Sequence, residues 1–112
     1  MASIDELWSV DFGPSYPAEP AFRRPAVVVG PPDSFGREFP VAIVVPLTTA
    51  RRDLSCHVEV EATPANGLAE TSYAQCELVR SVNRDRLVRR LGVIDYVNGR
   101  RISDVLRMLL DH

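Results

Sequence analysis

The sequence predicts a mainly β (α+β) domain of mostly antiparallel strands with one C-terminal helix. Short segments rich in valine, isoleucine and aromatic residues are separated by proline and glycine, a pattern typical of short strands joined by turns. Only the end of the chain places apolar residues at three- and four-residue steps, which indicates an amphipathic helix. The 112 residues are enough for one core, so a single domain spanning residues 1–112 is expected.

The first two strands are predicted from two different apolar patterns. Residues 7–12 alternate with a period of two, which places Trp8, Val10 and Phe12 on the core side. Residues 26–30 form a continuous apolar run, as expected for a strand that is buried on both faces.

A third strand is predicted at residues 41–47, after a turn-rich loop at 30–40. Pro46 near its end indicates an edge or a bulge, since proline has no N–H to donate to a neighbouring strand. Two hydroxyl side chains, Thr48 and Thr49, follow directly and are expected at the rim of this strand.

The fourth strand, residues 55–61, has an apolar face and an acidic outer face. His57 shares the outer face, and no carboxylate is placed to orient it, so a solvated strand residue is favoured over a catalytic base. Cys56 and Cys76 have no Cys-x-x-Cys spacing and no matching histidine pair. We therefore expect buried reduced thiols and no zinc site.

The fifth strand is predicted at residues 72–80, with its even positions towards the core. Tyr73, Gln75 and Glu77 then point outwards in line. A ring, an amide and a carboxylate in this arrangement suit the stacking and edge recognition of nucleic acid bases.

The remaining elements are a short helical turn and last strand at residues 84–93, followed by the C-terminal helix. Asp95 or Asn98 is the candidate cap of this helix. Its apolar stripe predicts a contact with the core or with a second subunit.

Composition and charge narrow the class of function. The net charge of −2 argues against nucleic acid binding through bulk positive charge, so only local clusters could serve. All 13 basic residues are arginine, which is typical of a GC-rich genome, whereas the functional interpretation is that several collect on one face. The apolar runs are too short for a membrane span and the first residues are acidic, so a cytoplasmic protein without membrane contact is expected.

The clearest chemical signal is an arginine held at the start of a strand. Pro25 suits the first strand residue and keeps Arg24 extended before it. Arg24 can make bidentate hydrogen bonds to a phosphate, and Thr48 at the end of another apolar strand can donate to the same oxygens. Together they predict a small phosphate site.

The order and spacing of these motifs resemble the MazF/PemK toxins of type II toxin–antitoxin systems, over residues 7 to about 110. The resemblance rests on the following segments and residues: Leu7–Phe12, Arg24-Pro25 with the valines that follow, Val45–Thr49, Gly67-Leu68, Ser72, Glu77, Arg80, Arg86-Leu87 and Leu91-Gly92. It implies an SH3-like small barrel of the CcdB/PemK type that forms a homodimer. It also implies sequence-selective cleavage of single-stranded RNA without a metal or other cofactor, leaving 2′,3′-cyclic phosphate and 5′-hydroxyl ends.

The same resemblance implies site residues and a protein partner. Arg24, Thr48 and Glu77 are the expected catalytic residues. The expected RNA-binding residues are Tyr16, Glu19, Thr49, Tyr73, Gln75, Arg80 and Arg86. The implied partner is a MazE-like antitoxin whose acidic, initially disordered C-terminal tail lies in the RNA groove.

Several alternatives stay open at this point. Glu77 or Arg24 could take the 2′-hydroxyl proton, although arginine is a poor acceptor, and Glu77 could instead form an ion pair with Arg24 or Arg80. Tyr16 could anchor its own loop rather than stack on a base. A rival function is a non-catalytic, protein-binding toxin of the same fold, similar to gyrase inhibitors. An antitoxin-like regulator is disfavoured, since there is no helix-turn-helix pattern.

Overall fold

The computed structural model describes residues 2–14, 22–36 and 38–111. Seven strands and one helix follow in chain order: β1 Glu6–Asp11, β2 Arg23–Gly30, β3 Val41–Thr48, β4 His57–Val60, β5 Ser72–Gln75, β6 Arg80–Asn83, β7 Leu87–Val93 and α1 Tyr96–Leu110. Single 3₁₀ turns lie at Asp33–Phe35, Cys76–Leu78 and Arg84–Arg86. The predicted mainly β domain with a C-terminal helix is confirmed.

The strands pair antiparallel in the order β4-β5-β3-β2-β1-β7, and β6 also pairs with β3. The central strand β3 therefore has β2 on one side and both β5 and β6 on the other. Within the described ranges no strand pairing joins β4 to β7, so the sheet is open rather than a fully hydrogen-bonded barrel.

A loop contact brings the two ends of this open sheet together. The N–H of Val93 in β7 donates to the carbonyl of Ala65, in the loop that follows β4, at 2.9 Å. A Cβ on Gly92 would lie 2.2 Å from the same carbonyl oxygen, and a Cβ on Gly67 would lie 2.2 Å from the carbonyl oxygen of Leu91. The two backbones approach so closely here that only glycine, which has no Cβ, fits at positions 67 and 92.

Two apolar clusters lie on the two faces of the sheet. The first lies between the sheet and α1 and includes Leu7, Val27 and Ile102, whereas the second includes Val10 and Val28. Strand β2 contributes to both clusters and is buried on both faces, as predicted. Val10 and Phe12 are buried as predicted, but Trp8 is only half-buried at the border of the second cluster.

The prediction of one continuous strand at residues 72–80 is wrong, because a 3₁₀ turn at Cys76–Leu78 separates β5 from β6. Leu47 pairs with Ala74 and Val44 pairs with Arg80, so three steps along β3 correspond to six along its partner. The three extra residues include Glu77 and form a bulge opposite Val45 and Pro46, with a 3₁₀ turn at Cys76–Leu78. The bulge expected near Pro46 is thus found in the neighbouring strand.

The C-terminal helix begins after Asp95, whose carboxylate accepts from the N–H of Asn98 at 3.1 Å. Ile102 is buried in the first cluster, while Met108, Leu109 and Leu110 are exposed. In the described part of the chain, no helix is long and apolar enough to cross a membrane.

The carboxylate of Glu6 joins β1 to β7 and to the preceding turn. It accepts from the N–H of Ser3 at 2.8 Å, from the indole of Trp8 at 3.2 Å and from Arg90 at 2.9 Å. Burial alone would raise the pKa of Glu6, but the hydrogen bonds from Arg90, Ser3 and Trp8 outweigh it and lower the pKa. The ionised carboxylate therefore stabilises the fold.

We expect Glu6→Gln to lower the free energy of unfolding by about 1–2 kcal/mol at about pH 7. Because the folded pKa is lowered, this contribution is present above the unfolded pKa and is lost as pH falls through the folded pKa. Denaturant unfolding of wild type and variant from about pH 7 to about pH 3 should show the difference shrinking. Glu70→Gln, at an exposed position, is the control. A difference that is independent of pH would contradict this role.

Candidate active site

Arg24 and Thr48 lie at the same end of two neighbouring strands. Ala26 of β2 pairs with Pro46 of β3, and continuing this antiparallel register by two residues puts Arg24 opposite Thr48. Adjacent strands are roughly 5 Å apart, so both side chains can reach one phosphate group. The phosphate site predicted from the sequence is therefore compatible with the strand pairing.

These two residues belong to a row of side chains that crosses one face of the sheet. Directly opposed residues of antiparallel strands project from the same face. The row runs through Val10, Arg24, Thr48, Tyr73 and Glu59. Arg24 and Tyr73 are two strand spacings apart, roughly 10 Å, a distance that suits a nucleotide with its phosphate at one end and its base at the other.

The hydroxyl of Thr48 is held in place by its own turn. Its Oγ1 accepts from the N–H of Ala50 at 3.2 Å, which leaves the hydroxyl hydrogen free to point elsewhere. Thr48 is half-buried, whereas Thr49 is exposed. Only the first of the two threonines lies in the row with Arg24.

Glu77, at the centre of the bulge, contacts a histidine and a cysteine of the neighbouring segment. His57 Nε2 and Glu77 Oε2 are 2.8 Å apart, and the thiol of Cys56 donates to Glu77 Oε1 at 3.4 Å. One ligand atom from each of the three residues lies within 4.8 Å of the others. The expected ion pair of Glu77 with Arg24 or Arg80 is not among the ion pairs of the described residues, and His57 takes its place.

The electrostatics of this group follow from its contacts. Burial raises the pKa of the Glu77 carboxyl, but hydrogen bonds with His57, the backbone and Cys56 lower it by more. The net effect is a lowered pKa. Burial and the adjacent carboxylate raise the pKa of Cys56. Burial, together with Cys56 and Glu77, raises the pKa of Cys76 to about 12, so this buried thiol is protonated.

Two predictions about this segment are wrong. The side chain of His57 is only 4% exposed, not solvated, because Glu77 lies against it. Cys56 lies in a turn before β4 and is half-buried, not in the apolar strand face. The adjacent Cys56-His57 pair was the only sign of this group in the sequence. Its carboxylate partner, Glu77, is 20 residues from His57 and comes close to it only through the pairing of β4 with β5.

The predicted RNA-contacting residues of β5 have different environments. Tyr73 is half-buried and lines a pocket together with Arg51, His57 and Glu59. Gln75 lies on the same face but is 7% exposed, so the expectation of an outward, accessible amide is not met. Its Oε1, like His57 Nδ1, has no hydrogen-bond partner within the described residues.

The remaining predicted contacts lie near the end of β1. The guanidinium of Arg80 lies 5.5 Å from the ring centroid of Phe12, a cation–π arrangement. Arg86 donates to the backbone carbonyl of Asp11 at 3.1 Å. Both Arg80 and Arg86 are exposed to solvent. Tyr16 and Glu19 lie outside the described residues.

Comparison with known proteins gives one family and several similar structures. The sequence profile of a family described as PemK-like, MazF-like toxin of type II toxin–antitoxin system matches residues 5–110. A curated relative, Endoribonuclease MazF9 of Mycobacterium tuberculosis, is 30% identical over 117 aligned positions, which span 99% of this chain and 98% of the relative.

Two solved structures share the fold. The crystal structure of MazF from Deinococcus radiodurans has a TM-score of 0.83 at 20% identity, covering 99% of this chain and 97% of that one. An endoribonuclease in complex with its cognate antitoxin from Mycobacterial species has a TM-score of 0.80 at 19% identity, covering 99% and 96%. At such identities the likeness concerns the fold.

We expect His57 and Glu77 to stabilise each other. A double-mutant cycle of His57→Ala and Glu77→Ala, measured by denaturant unfolding in EDTA, should give a coupling free energy of about 1 kcal/mol. The control cycle pairs His57→Ala with Glu59→Ala, because Glu59 lines the same pocket but is not the hydrogen-bond partner of His57. Equal coupling in the two cycles would show that the close contact contributes nothing specific.

Proposed function

The chain belongs to the PemK-like, MazF-like toxins of type II toxin–antitoxin systems, and we propose that it is an endoribonuclease that cleaves single-stranded RNA at preferred sequences. The observation that carries the proposal is the row in which Arg24 and Thr48 adjoin at the ends of two paired strands. The curated relative named Endoribonuclease MazF9 supports the same activity.

The proposed reaction is an internal phosphoryl transfer that needs no metal. The 2′-oxygen of one nucleotide attacks its own 3′-phosphate, the new P–O2′ bond forms, and the P–O5′ bond breaks. The departing 5′-oxygen takes up a proton from the solvent, which leaves a 2′,3′-cyclic phosphate and a 5′-hydroxyl. Arg24 and the hydroxyl of Thr48 stabilise the extra negative charge on the pentacoordinate phosphorus.

Glu77 is our candidate for the group that accepts the 2′-hydroxyl proton. It is one strand beyond Thr48, and the bulge aims its carboxylate at the row's side of the sheet, against His57. Arg24 is a poor acceptor because guanidinium groups stay protonated in proteins. His57 acts here as a positioning residue that holds the carboxylate.

RNA binding extends along the same face. Tyr73, whose ring lines the pocket beside His57, is placed to stack on a base. Thr49, Arg80 and Arg86 offer polar and cationic contacts around it, with Arg80 and Arg86 suited to flanking phosphates. Gln75 would read a base only after a rearrangement that exposes its amide, since it is buried. Tyr16 and Glu19 remain proposed contacts from the sequence.

The proposal also includes a second copy of the chain and an antitoxin. Exposed apolar residues on α1, among them Met108, Leu109 and Leu110, favour association of two copies through this helix. A MazE-like antitoxin would place an acidic tail in the groove that binds RNA, because carboxylates are matched by the same arginines. The similar structure that contains a cognate antitoxin supports such a partner.

We expect Arg24→Ala to reduce cleavage by at least about 10²–10³-fold, because one fixed donor to the developing charge is lost. The measurement incubates wild type and variant with a long single-stranded RNA in excess EDTA and maps the new 5′ ends by primer extension. Arg23→Ala is the matched control, since Arg23 is the exposed neighbour on the opposite face of β2. Its cleavage rate should stay within a few-fold of wild type.

Other outcomes separate the alternatives. Near wild-type cleavage by Arg24→Ala would mean that the site is wrongly placed. No cleavage by wild type at any concentration, together with inhibition of DNA gyrase, would favour the protein-binding toxin of the same fold.

A further inference from the structure

The group of Cys56, His57 and Glu77 combines three kinds of metal ligand in one place. A thiol, an imidazole and a carboxylate each offer a ligand atom, and these atoms lie within 4.8 Å of one another. We propose that this group binds one zinc ion and that binding inhibits RNA cleavage; the inhibition rests on the proposed function. The sequence alone predicted no zinc site, because the carboxylate comes from a distant segment.

The separations between ligand atoms fit a zinc ion after small movements. Zinc at about 2.3 Å from sulfur and about 2.0–2.1 Å from nitrogen and oxygen, in tetrahedral geometry, requires ligand atoms about 3.3–3.7 Å apart. The thiol and the carboxylate are already 3.4 Å apart, and the imidazole and the carboxylate are 2.8 Å apart. These two contacts use different oxygens of the carboxylate, and the three ligand atoms lie within 4.8 Å of one another. Zinc binding therefore requires the imidazole contact to open by about 0.5 Å and a separation near the upper bound to close by about 1 Å.

The ligand types select a borderline divalent ion over magnesium or calcium. Thiolate and imidazole ligands favour zinc and similar transition metals, whereas magnesium and calcium require mostly oxygen ligands. Binding releases the proton of the Cys56 thiol to water, since the thiolate is the ligand. Three protein ligands leave a fourth position for water, as in open zinc sites.

Two buried polar atoms next to the site support this assignment. His57 Nδ1 and Gln75 Oε1 are buried and have no hydrogen-bond partner within the described residues. His57 and Gln75 are directly opposed in β4 and β5, so their side chains share one face. When Nε2 binds a metal, Nδ1 carries the proton and needs an acceptor, the usual outer contact of a metal-bound histidine. Gln75 Oε1, on the same face, is an acceptor that a rotation of the amide side chain would have to bring within reach.

A hydrogen bond between His57 and Gln75 without a metal is the simpler alternative, but it would give no role to the thiol. Cys56 distinguishes the alternatives, because its sulfur lies against the same carboxylate. Access is open on this side, since Cys56 also lines a surface cavity with Ser55, Val105 and Met108. Cys76 is fully buried and its thiol faces the carbonyl of Ala74, so it stays outside the ligand set.

The inhibition follows from competition for the same carboxylate. A metal-bound Glu77 cannot accept the 2′-hydroxyl proton, and His57 cannot position it. The ion also adds positive charge beside Tyr73, which would alter how the RNA lies in the row. Zinc would thus hold the enzyme inactive until it is removed.

Binding is tested without RNA, on wild-type protein stripped of metal with EDTA and then dialysed. We expect one equivalent of Zn²⁺ to bind, and Co²⁺ to produce a sulfur-to-cobalt charge-transfer band. Cys56→Ser should abolish the band, and both Cys56→Ser and Glu77→Gln should weaken Zn²⁺ affinity at least about tenfold. Glu59→Gln, in the same pocket, should bind like wild type. No binding, or undiminished binding by Cys56→Ser, would overturn the site.

A second readout needs no variant, which covers the case of a Cys56→Ser protein that does not fold. Zn²⁺ should slow alkylation of Cys56 by iodoacetamide in the wild-type protein, as measured by mass spectrometry of the peptide. An unchanged rate in saturating Zn²⁺ would also overturn the site.

The inhibition is tested by cleavage of the same RNA with Zn²⁺ or EDTA. Loss of cleavage in Zn²⁺ and its recovery in EDTA would support it, provided that Glu70→Gln, at an exposed position outside the row, behaves like wild type. Zinc binding with an unchanged cleavage rate would overturn the inhibition. Absence of cleavage in both conditions would overturn the proposed function, and the inhibition with it, while the binding result would stand.

Discussion

The three-residue offset between β5 and β6, which both pair with the same side of β3, is the constraint on which the candidate site depends. A regular strand at this position would send Glu77 along the line of Tyr73 and Gln75. The offset instead lifts Glu77 out of the ladder and places its carboxylate over His57. Because of the bulge, the sheet face that carries Arg24 and Thr48 also carries a charged, partly buried group at β4 and β5.

The site combines two halves that differ in how firmly they are held. Arg24 and Thr48 lie at the ends of strands that contribute buried residues to both apolar clusters, so their backbone positions are fixed by the core. The carboxylate of Glu77 is held by contacts with the side chains of Cys56 and His57. The half at Arg24 and Thr48 is therefore part of the scaffold, whereas the half at Glu77 depends on side-chain contacts that a proton or an ion can rearrange.

Much of the fold, and half of the site, could be predicted from the sequence. Strand β1 and helix α1 have periodic apolar patterns, and strands β2 and β3 have continuous apolar runs. The Arg24–Thr48 pair follows from strand ends that need no knowledge of register. The contact of His57 with Glu77 could not be predicted, because the sequence of residues 72–80 predicts one uninterrupted strand with regular side-chain alternation. An insertion of three residues shifts that alternation, and nothing local in the sequence marks where it begins.

The loop contact at Ala65, Gly67 and Gly92 acts as a seam in an otherwise continuous sheet. Because the two ends of the strand order meet there through backbone atoms rather than through a ladder, the sheet can part along this line without breaking any strand pair. The seam lies outside the row that carries Arg24 and Thr48. A substitution at Gly67 or Gly92 would therefore act on the contact between the two ends of the strand order, and not on the strand register that puts Arg24 opposite Thr48.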